Sequence, residues 1–558
     1  MKFTASPLLE GVRNWRSPLV FVVSCSVAFF LVAALVLSLR DPYGMEARAG
    51  LFVRAILNGH GLVCPILYER PYPDYPPLFF LLEALFCSLN SDVTALCLAL
   101  PSLMSASLLI LLVFKSAKRY LGEKEALVAS AILFATPFFW FSAQRATVDM
   151  LLGLLVYCAN ISFFAGLCDT EGGRVRPGMV ALGLAFMAGA YWVKGPIGIA
   201  LSTASCAIFL TVRRRWRKLA VFLLVVMLAS SGLIFFHYQL LLGQGGNTLA
   251  MKVLDAQFLG RFGGRPNKPF YYYFVFLTLT FSPFLLGMLA FFLKRGRRNL
   301  VKWKECLGGK GDFRLFVTIF FATCVLPFLF ASSRHGRYLL PAFAPLAVVL
   351  SCPITKILEA LESAFWARAI RVVRGLYLMG LVSVSTLWFF DPLESRVPIW
   401  AIGLWFTCAL GLFIASQRVR VKEGFTFFVS LCVTLFVLTT GLTLVTEPGL
   451  SRRESGRQFV AATEGSVKVS KGVYLIGLKW DGDGLKYSLF SRYYPQGIHL
   501  IRRLQDLESA PWGSIVVLYE RDLEGFIKRF NVSNYSVISR GLIHAKGVVS
   551  IFLPPRAS

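Results

Sequence analysis

Fourteen apolar runs, many of them close to 20 residues, follow one another along the chain: 17–39, 77–90, 96–114, 125–141, 146–168, 179–194, 196–212, 218–242, 270–293, 314–331, 337–353, 372–390, 398–416 and 425–446. A helix of about 20 apolar residues crosses the ~30 Å hydrocarbon core of a bilayer. Every backbone polar group of such a helix is satisfied internally. With 56% hydrophobic and only 16% charged residues over 558 positions, a soluble fold would have to leave much of this surface exposed to water. The chain therefore reads as an all-α polytopic membrane protein.

Its net charge of +28 is concentrated in short clusters between the runs, such as Arg213-Arg214-Arg215-Trp216-Arg217-Lys218 and Lys294-Arg295-Gly296-Arg297-Arg298. That is the pattern of cytoplasmic loops, not of a nucleic-acid surface. If every run crossed, Lys115, Lys118, Arg119 and Lys124 would fall outside. The run 77–90 is short, opens on Pro76-Pro77 and carries Glu83, so it is assigned to the membrane surface or a re-entrant dip. About 13 transmembrane helices remain, beginning with a retained first helix whose N-terminus is cytoplasmic. Basic loops near 115–124, 212–218, 294–314, 354–374 and 417–422 then lie inside. Segments 40–76, 142–149, 243–269, 332–337 and 391–397 lie outside with the C-terminal tail. Twelve scattered cysteines show neither a CxxC pair nor a visible disulfide framework. Beyond residue 446 the sequence turns polar. Strand-like pieces at 473–477 and 514–519 and helical stretches at 501–508 and 521–530 predict a small C-terminal α/β domain over 447–558, following a membrane domain over 1–446.

Residues suited to chemistry gather on the side opposite the basic loops. The first outer segment, 40–76, carries Asp41 and Glu46, then an amphipathic helix to about Leu57 with Leu51, Phe52, Ala55 and Ile56 toward lipid, and finally Asp74 and Tyr75 before Pro76-Pro77-Leu78. In Gln144-Arg145-Ala146-Thr147-Val148-Asp149, the aspartate stands at a helix mouth. It either pairs with Arg145 one turn away or faces a water-filled cavity. Lys194, between two apolar runs on the outer side, is placed against the charge rule, as are Arg261 in Gly260-Arg261-Phe262 and Arg334, His335 and Arg337 ahead of Tyr338. Cations there call for something negative, and arginine offers a phosphate a bidentate fork. A carboxylate can act as general base on an acceptor hydroxyl. No Walker loop, dinucleotide fingerprint or Ser-His-Asp set is present, and no cofactor is evident. The carboxylates could hold a divalent metal ion, although no ligand spacing points to one.

In order, these motifs resemble the GT-C glycosyltransferases: the outer acidic motif, Pro76-Pro77-Leu78, Thr147-Val148-Asp149, Lys194-Gly195-Pro196, Arg261-Phe262 before a Pro-Phe-aromatic helix, and Arg337-Tyr338-Leu339-Leu340-Pro341-Ala342. They are similar above all to the bacterial aminoarabinose (lipid A) transferases and the wider protein O-mannosyltransferases, over roughly 40–350. The resemblance implies a monomeric enzyme of the bacterial inner membrane with juxtamembrane helices on the periplasmic face. It implies inverting transfer of a sugar from a polyprenyl-phosphate donor to a lipid A, glycan or protein acceptor. By position, a first-loop acid would be the catalytic base, Asp149 would position donor or acceptor, and Lys194, Arg261 and Arg337 with Tyr338 would bind the carrier phosphate. Asp74, Tyr75, Arg145 and Arg334 are counted with the substrate-binding residues. Two departures stand out. The family's adjacent Asp-Glu pair is here Met45-Glu46, so either Asp41 or Glu46 could be the base, with Asp41 favoured. Its Glu-Lys-Pro-Pro-Leu is here Asp74-Tyr75-Pro76-Pro77-Leu78, which lacks one phosphate-binding lysine.

A lipid or solute transporter is the rival class, but it calls for internal repeats and mid-membrane charges, and neither is visible. A non-catalytic scaffold with the tail as an interaction module is a third reading. The topology is tested by a reporter fused after Lys118, which is expected to report a cytoplasmic location; an extracytoplasmic signal would overturn the threading.

Overall fold

The computed structural model describes residues 18–67, 70–90, 92–168, 174–258, 267–285, 311–331, 333–360, 363–391, 395–418, 423–454, 472–478, 498–501, 503–509, 511–543 and 546–554. Among them, nine helices are long and apolar enough to cross a membrane. They are the helices α1 (Pro18–Ser38), α4 (Ala95–Tyr120), α7 (Val148–Phe163, extended by a π-helical turn to Cys168), α10 (Trp216–Phe258), α12 (Gly311–Leu329), α13 (Leu340–Ala360, entered through a 3-10 turn at Gly336–Leu339), α14 (Ser363–Phe390), α15 (Ile399–Arg418) and α16 (Glu423–Glu454). A tenth span results if α5 (Glu123–Ala135) and α6 (Pro137–Ala143), bent by 64°, count as one. Pro137 causes that bend, because it cannot donate to the preceding turn. The count of about 13 expected from the sequence is not confirmed among the described residues. Three apolar runs form α8 (Pro177–Lys194), α9 (Pro196–Val212) and α11 (Tyr272–Thr280), none of which meets the length and hydropathy of a full span.

The apolar run carrying Glu83 forms α3 (Leu78–Cys87). Ten residues rise only about 15 Å, too short to cross. It packs against α2 (Met45–Leu57), where Phe52 meets Phe80 edge-on at 4.7 Å and Tyr72 at 5.1 Å. Leu51, Phe52 and Ile56 are therefore buried inside the protein instead of facing lipid as expected. The short antiparallel pair β1 (Ile66–Leu67) and β2 (Arg70–Pro71) connects α2 to α3. A disulfide between Cys87 and Cys97 ties the end of α3 to the first turn of α4, a link that cysteine spacing did not reveal.

The core is rich in aromatic contacts. Phe29, Phe134, Trp140 and Phe436 bring α1, α5, α6 and α16 together, with the Trp140 indole donating to Thr443 Oγ1 at 3.1 Å. Exposed Val221, Leu224, Met227 and Phe235 on α10, and Val372, Leu378 and Met379 on α14, form the apolar surface a bilayer would cover. Helix α10 breaks at Gly245-Gly246, where Gly246 adopts φ 68°.

After α16, a five-stranded mixed sheet has the order β4-β3-β5-β7-β6: β3 (Val473–Ile476) is parallel to β4 (Ile498–Ile501) and β5 (Ile515–Tyr519), and β7 (Lys546–Phe552) is antiparallel to β5 and β6 (Ser536–Ile543). Phe526 of helix α17 (Leu523–Phe530) packs on Val516, Leu518, Val549 and Ile551. The expected strands and the expected helix over 521–530 are present, whereas 501–508 holds the end of β4 and one 3-10 turn. Helix α16 itself continues past 446 to Glu454.

The α2–α3 contact is a stability determinant. Phe52→Ala should lower the unfolding free energy in detergent by about 3–5 kcal/mol, read from an SDS or guanidinium titration; an unchanged midpoint would show that the contact contributes nothing.

Candidate active site

Three helix ends meet at Asp149. The aspartate sits in the first turn of α7, where the helix dipole favours an anion. Lys194 is the last residue of α8, and Arg337 lies in the 3-10 turn before α13. Lys194 Nζ donates to Asp149 Oδ1, and Arg337 Nε lies 3.4 Å from Asp149 Oδ2. Asp149 and Lys194 are each 1% exposed, while the Arg337 side chain keeps 24% of its surface open. Arg337 Nε is buried against Asp149 without a hydrogen bond of good geometry, so the open part of the side chain is what an incoming group could meet. The Lys194 ammonium also sits 4.3 Å from the centre of the Tyr338 ring.

Local sequence sets this geometry. Gly195 ends α8 with φ 71°, a conformation that side chains resist, and a Cβ there would meet Gln257 Oε1 at 2.7 Å. The reversal lets Pro196 start α9 while Lys194 stays buried at the corner. Gln257 Nε2 donates 3.2 Å to the Pro73 carbonyl, anchoring the turn that carries Asp74 and Tyr75.

A small cavity opens beside this corner, lined by Met45, Arg48, Tyr75, Phe80, Asp149 and Arg337 among others. Arg48 donates to the Tyr72 hydroxyl at 2.9 Å and contacts Met45 Sδ at 3.0 Å. The same hydroxyl bonds Asp74, which is exposed. Lys268 lies 4.0 Å over the Tyr272 ring. Burial first, then the charges of Arg337 and Lys268, hold the His335 imidazole below its usual pKa, so it is neutral at pH 7. His335 thus stands in the combined field of Arg337, Lys268, Asp149 and Lys194.

A second charged cluster stands next to the first. Arg40 grips both oxygens of Glu46, which is 1% exposed, with Nη2 at 2.7 Å from Oε1, and also donates to the Gln144 carbonyl at 2.8 Å. Arg145 donates to Glu447 Oε1 at 2.8 Å and to the Tyr43 hydroxyl at 2.7 Å, and lies 3.7 Å from Glu46. Tyr43 donates in turn to Glu447 Oε2 at 2.7 Å. Burial, reinforced by the Glu447 charge against the pull of Arg145, pushes its hydroxyl up to about 12. Glu83 is fully buried, and neither of its oxygens has a partner among the described residues. Burial, with the Glu46 charge adding to it, lifts the Glu83 carboxyl well above the usual carboxylate range, so it is a neutral acid.

Of the residues expected from the sequence, Tyr75, Asp149, Lys194, Arg337 and Tyr338 come together at the cavity corner. Arg145 and Glu46 belong to the adjoining cluster, and the suggested Arg145–Asp149 pair is replaced by pairs to Glu447 and to Lys194. Asp41 lies just past α1, its N–H and C=O both bonded to Ser451 Oγ. Arg334 turns inward, donating to the carbonyls of Lys268 and Leu329. Arg261 falls outside the described residues. Arg40, Arg48, Lys268 and Glu447 were not anticipated. Arg40 and Glu447 share one signal, a charge immediately beyond an apolar run. No group of three or more His, Cys, Asp or Glu able to hold a metal occurs among the described residues. Ser102, in the second turn of α4, donates to the Thr147 carbonyl beside this site. Lys118 lies roughly 24 Å further along the same helix, so the basic cluster and the site occupy opposite ends of the bundle.

The helical bundle and the mixed sheet after its last helix share their fold with a protein of solved structure. The match to a solved structure is extensive: ArnT from Cupriavidus metallidurans, crystallised bound to undecaprenyl phosphate, superposes with TM-score 0.69 over 95% of this chain and 97% of that one, at 16% identity. Its apo form gives 0.66. Residues 74–241 match the family described as dolichyl-phosphate-mannose-protein mannosyltransferase. The undecaprenyl phosphate-alpha-4-amino-4-deoxy-L-arabinose arabinosyl transferase of Edwardsiella ictaluri is 27% identical over 257 residues, 45% of this chain and 44% of that protein. Its counterpart from Erwinia tasmaniensis is 26% identical over 377 residues, 64% of this chain and 65% of that protein. The chain thus spans between about half and two thirds of the length of these relatives, and over that stretch it is similar to them.

The neutral Glu83 makes stability fall as pH rises, because the folded state keeps a proton that the unfolded chain releases above the ordinary carboxylate pKa. Glu83→Gln should flatten the decline in thermal stability between pH 5 and pH 8 and raise Tm at pH 8 relative to the parent. An identical pH slope in the variant would contradict a neutral Glu83.

Proposed function

We propose that the chain transfers a glycosyl group, with inversion, from a polyprenyl-phosphate carrier to a lipid A, glycan or protein acceptor on the periplasmic face of the inner membrane. The observation that carries this reading is the meeting of Asp149, Lys194 and Arg337, where a buried ammonium and a guanidinium share a single carboxylate and Asp149 and Arg337 line a cavity. Lys194 and Arg337 would hold the carrier phosphate, and Tyr338 would brace the ammonium. Asp149 keeps both cations charged and aimed.

In the reaction, the acceptor oxygen attacks the anomeric carbon from the face opposite the phosphate. Its proton passes to a carboxylate, and the electron pair of the breaking carbon–oxygen bond stays on the phosphate. Charge grows on the phosphate oxygens as that bond breaks, so fixed cations in a poorly hydrated cavity stabilise the transition state more than the ground state. We assign proton acceptance to Asp41. Glu46 has both oxygens committed to Arg40, and Asp149 neutralises the clamp. Arg48, on the cavity wall and bonded to Tyr72, would contact the sugar or the acceptor.

Purified protein given a labelled polyprenyl-phosphate sugar and an acceptor extract should release free polyprenyl phosphate. Arg337→Ala and Lys194→Ala should each cut release roughly 100-fold or more, while Asp41→Ala should abolish it. Wild-type protein that releases none, or clamp variants that turn over normally, would refute the assignment.

A further inference from the structure

The last membrane helix grips the acidic loop from a distance of about four hundred residues in sequence. Ser451, wholly buried near the C-terminal end of α16, accepts a hydrogen bond from the Asp41 N–H at 2.8 Å and donates one to the Asp41 C=O at 3.0 Å. A hydroxyl is the smallest side-chain group able to do both at once. One turn earlier on the same helix, Glu447 accepts from the Tyr43 hydroxyl at 2.7 Å and lies 3.8 Å from Arg40 Nε. The two side chains of α16 therefore hold the residue before Asp41, Asp41 itself and the residue two beyond it.

That stretch needs an external anchor. It lies between the end of α1 at Ser38 and the start of α2 at Met45, so no helical hydrogen bonds fix it. Asp41 precedes Pro42, which keeps it out of the helical region, and Gly44 adopts φ 58°. The paired bonds to Ser451 fix the Asp41 backbone, and with it the point from which the carboxylate projects, and the Arg145–Glu447–Tyr43 contacts fix the loop on its far side.

We propose that Ser451 and Glu447 are positioning residues that set the placement of the Asp41 carboxylate for catalysis. The inference rests on the glycosyl-transfer reading and on Asp41 as proton acceptor. It makes the C-terminal turn of α16, where the membrane bundle gives way to the β-sheet region, part of the catalytic frame.

The test is steady-state kinetics of the full chain in detergent with a labelled polyprenyl-phosphate sugar. Binding of undecaprenyl phosphate to the same preparations serves as a second readout. Ser451→Ala should lower kcat roughly 10- to 100-fold while donor KM and undecaprenyl phosphate binding stay at wild-type values. Ser451→Thr, which keeps the hydroxyl, should recover most of the rate. Glu447→Gln should show the same kcat-selective loss. A Ser451→Ala variant with wild-type kcat, or one that loses kcat and donor binding in parallel, overturns the positioning role alone. A wild-type chain that turns nothing over overturns both this inference and the reading beneath it.

Discussion

The structure depends on how it shelters the Asp149 carboxylate. Asp149 and Lys194 are almost completely buried, and each alone would carry a desolvation penalty of several kcal/mol. Paired with each other and with Arg337, they tie the start of α7, the end of α8 and the turn into α13 into one corner. A buried ion pair of this kind adds little net stability. It does fix where three helix ends stand, and it keeps cations in a place where the hydrophobic surroundings would otherwise exclude them. That constraint makes the corner suited to a phosphate: charge and direction are set before any ligand arrives.

The neighbouring cluster solves a different problem. Arg40, Glu46, Arg145 and Glu447 are two cations and two anions in mutual contact, and they join the end of α1, the start of α2, the loop before α7 and the end of α16. Glu46 thus holds the loop, and Met45, not an acid, lines the cavity wall. Glu83, adjacent but neutral, adds no charge to the balance. Asp149, Arg337 and Arg48 give the cavity its charged lining, while α2 and α3 supply apolar lining through Phe52 and Phe80.

Much of this was legible in the sequence where a residue broke a rule. Lys194 and Arg337 violate the charge asymmetry of the loops, and Asp149 stands at the mouth of an apolar helix; each had to meet something charged, and they meet one another. Arg334 broke the same rule three residues from Arg337 and turned out to satisfy backbone carbonyls. Spacing could not separate the two, because Arg334 lies before the 3-10 turn that carries Arg337, so no common helical period relates their directions. Amphipathicity showed that α2 has an apolar face, yet it could not say that α3 and not lipid covers it. The Arg145–Glu447 and Asp41–Ser451 contacts join residues more than 300 positions apart, and no local pattern carries such a pairing. Among the described residues α8 and α9 fall short of full spans, and the Gly195-Pro196 corner between them holds Lys194 buried.

The most direct test is a cryo-electron microscopy map of the chain in nanodiscs with undecaprenyl phosphate. The account predicts phosphate density within hydrogen-bonding distance of Lys194 Nζ and the Arg337 guanidinium, at the mouth of the cavity lined by Arg48 and Tyr75. Phosphate density elsewhere on the protein, with the Asp149 corner left untouched, would contradict it.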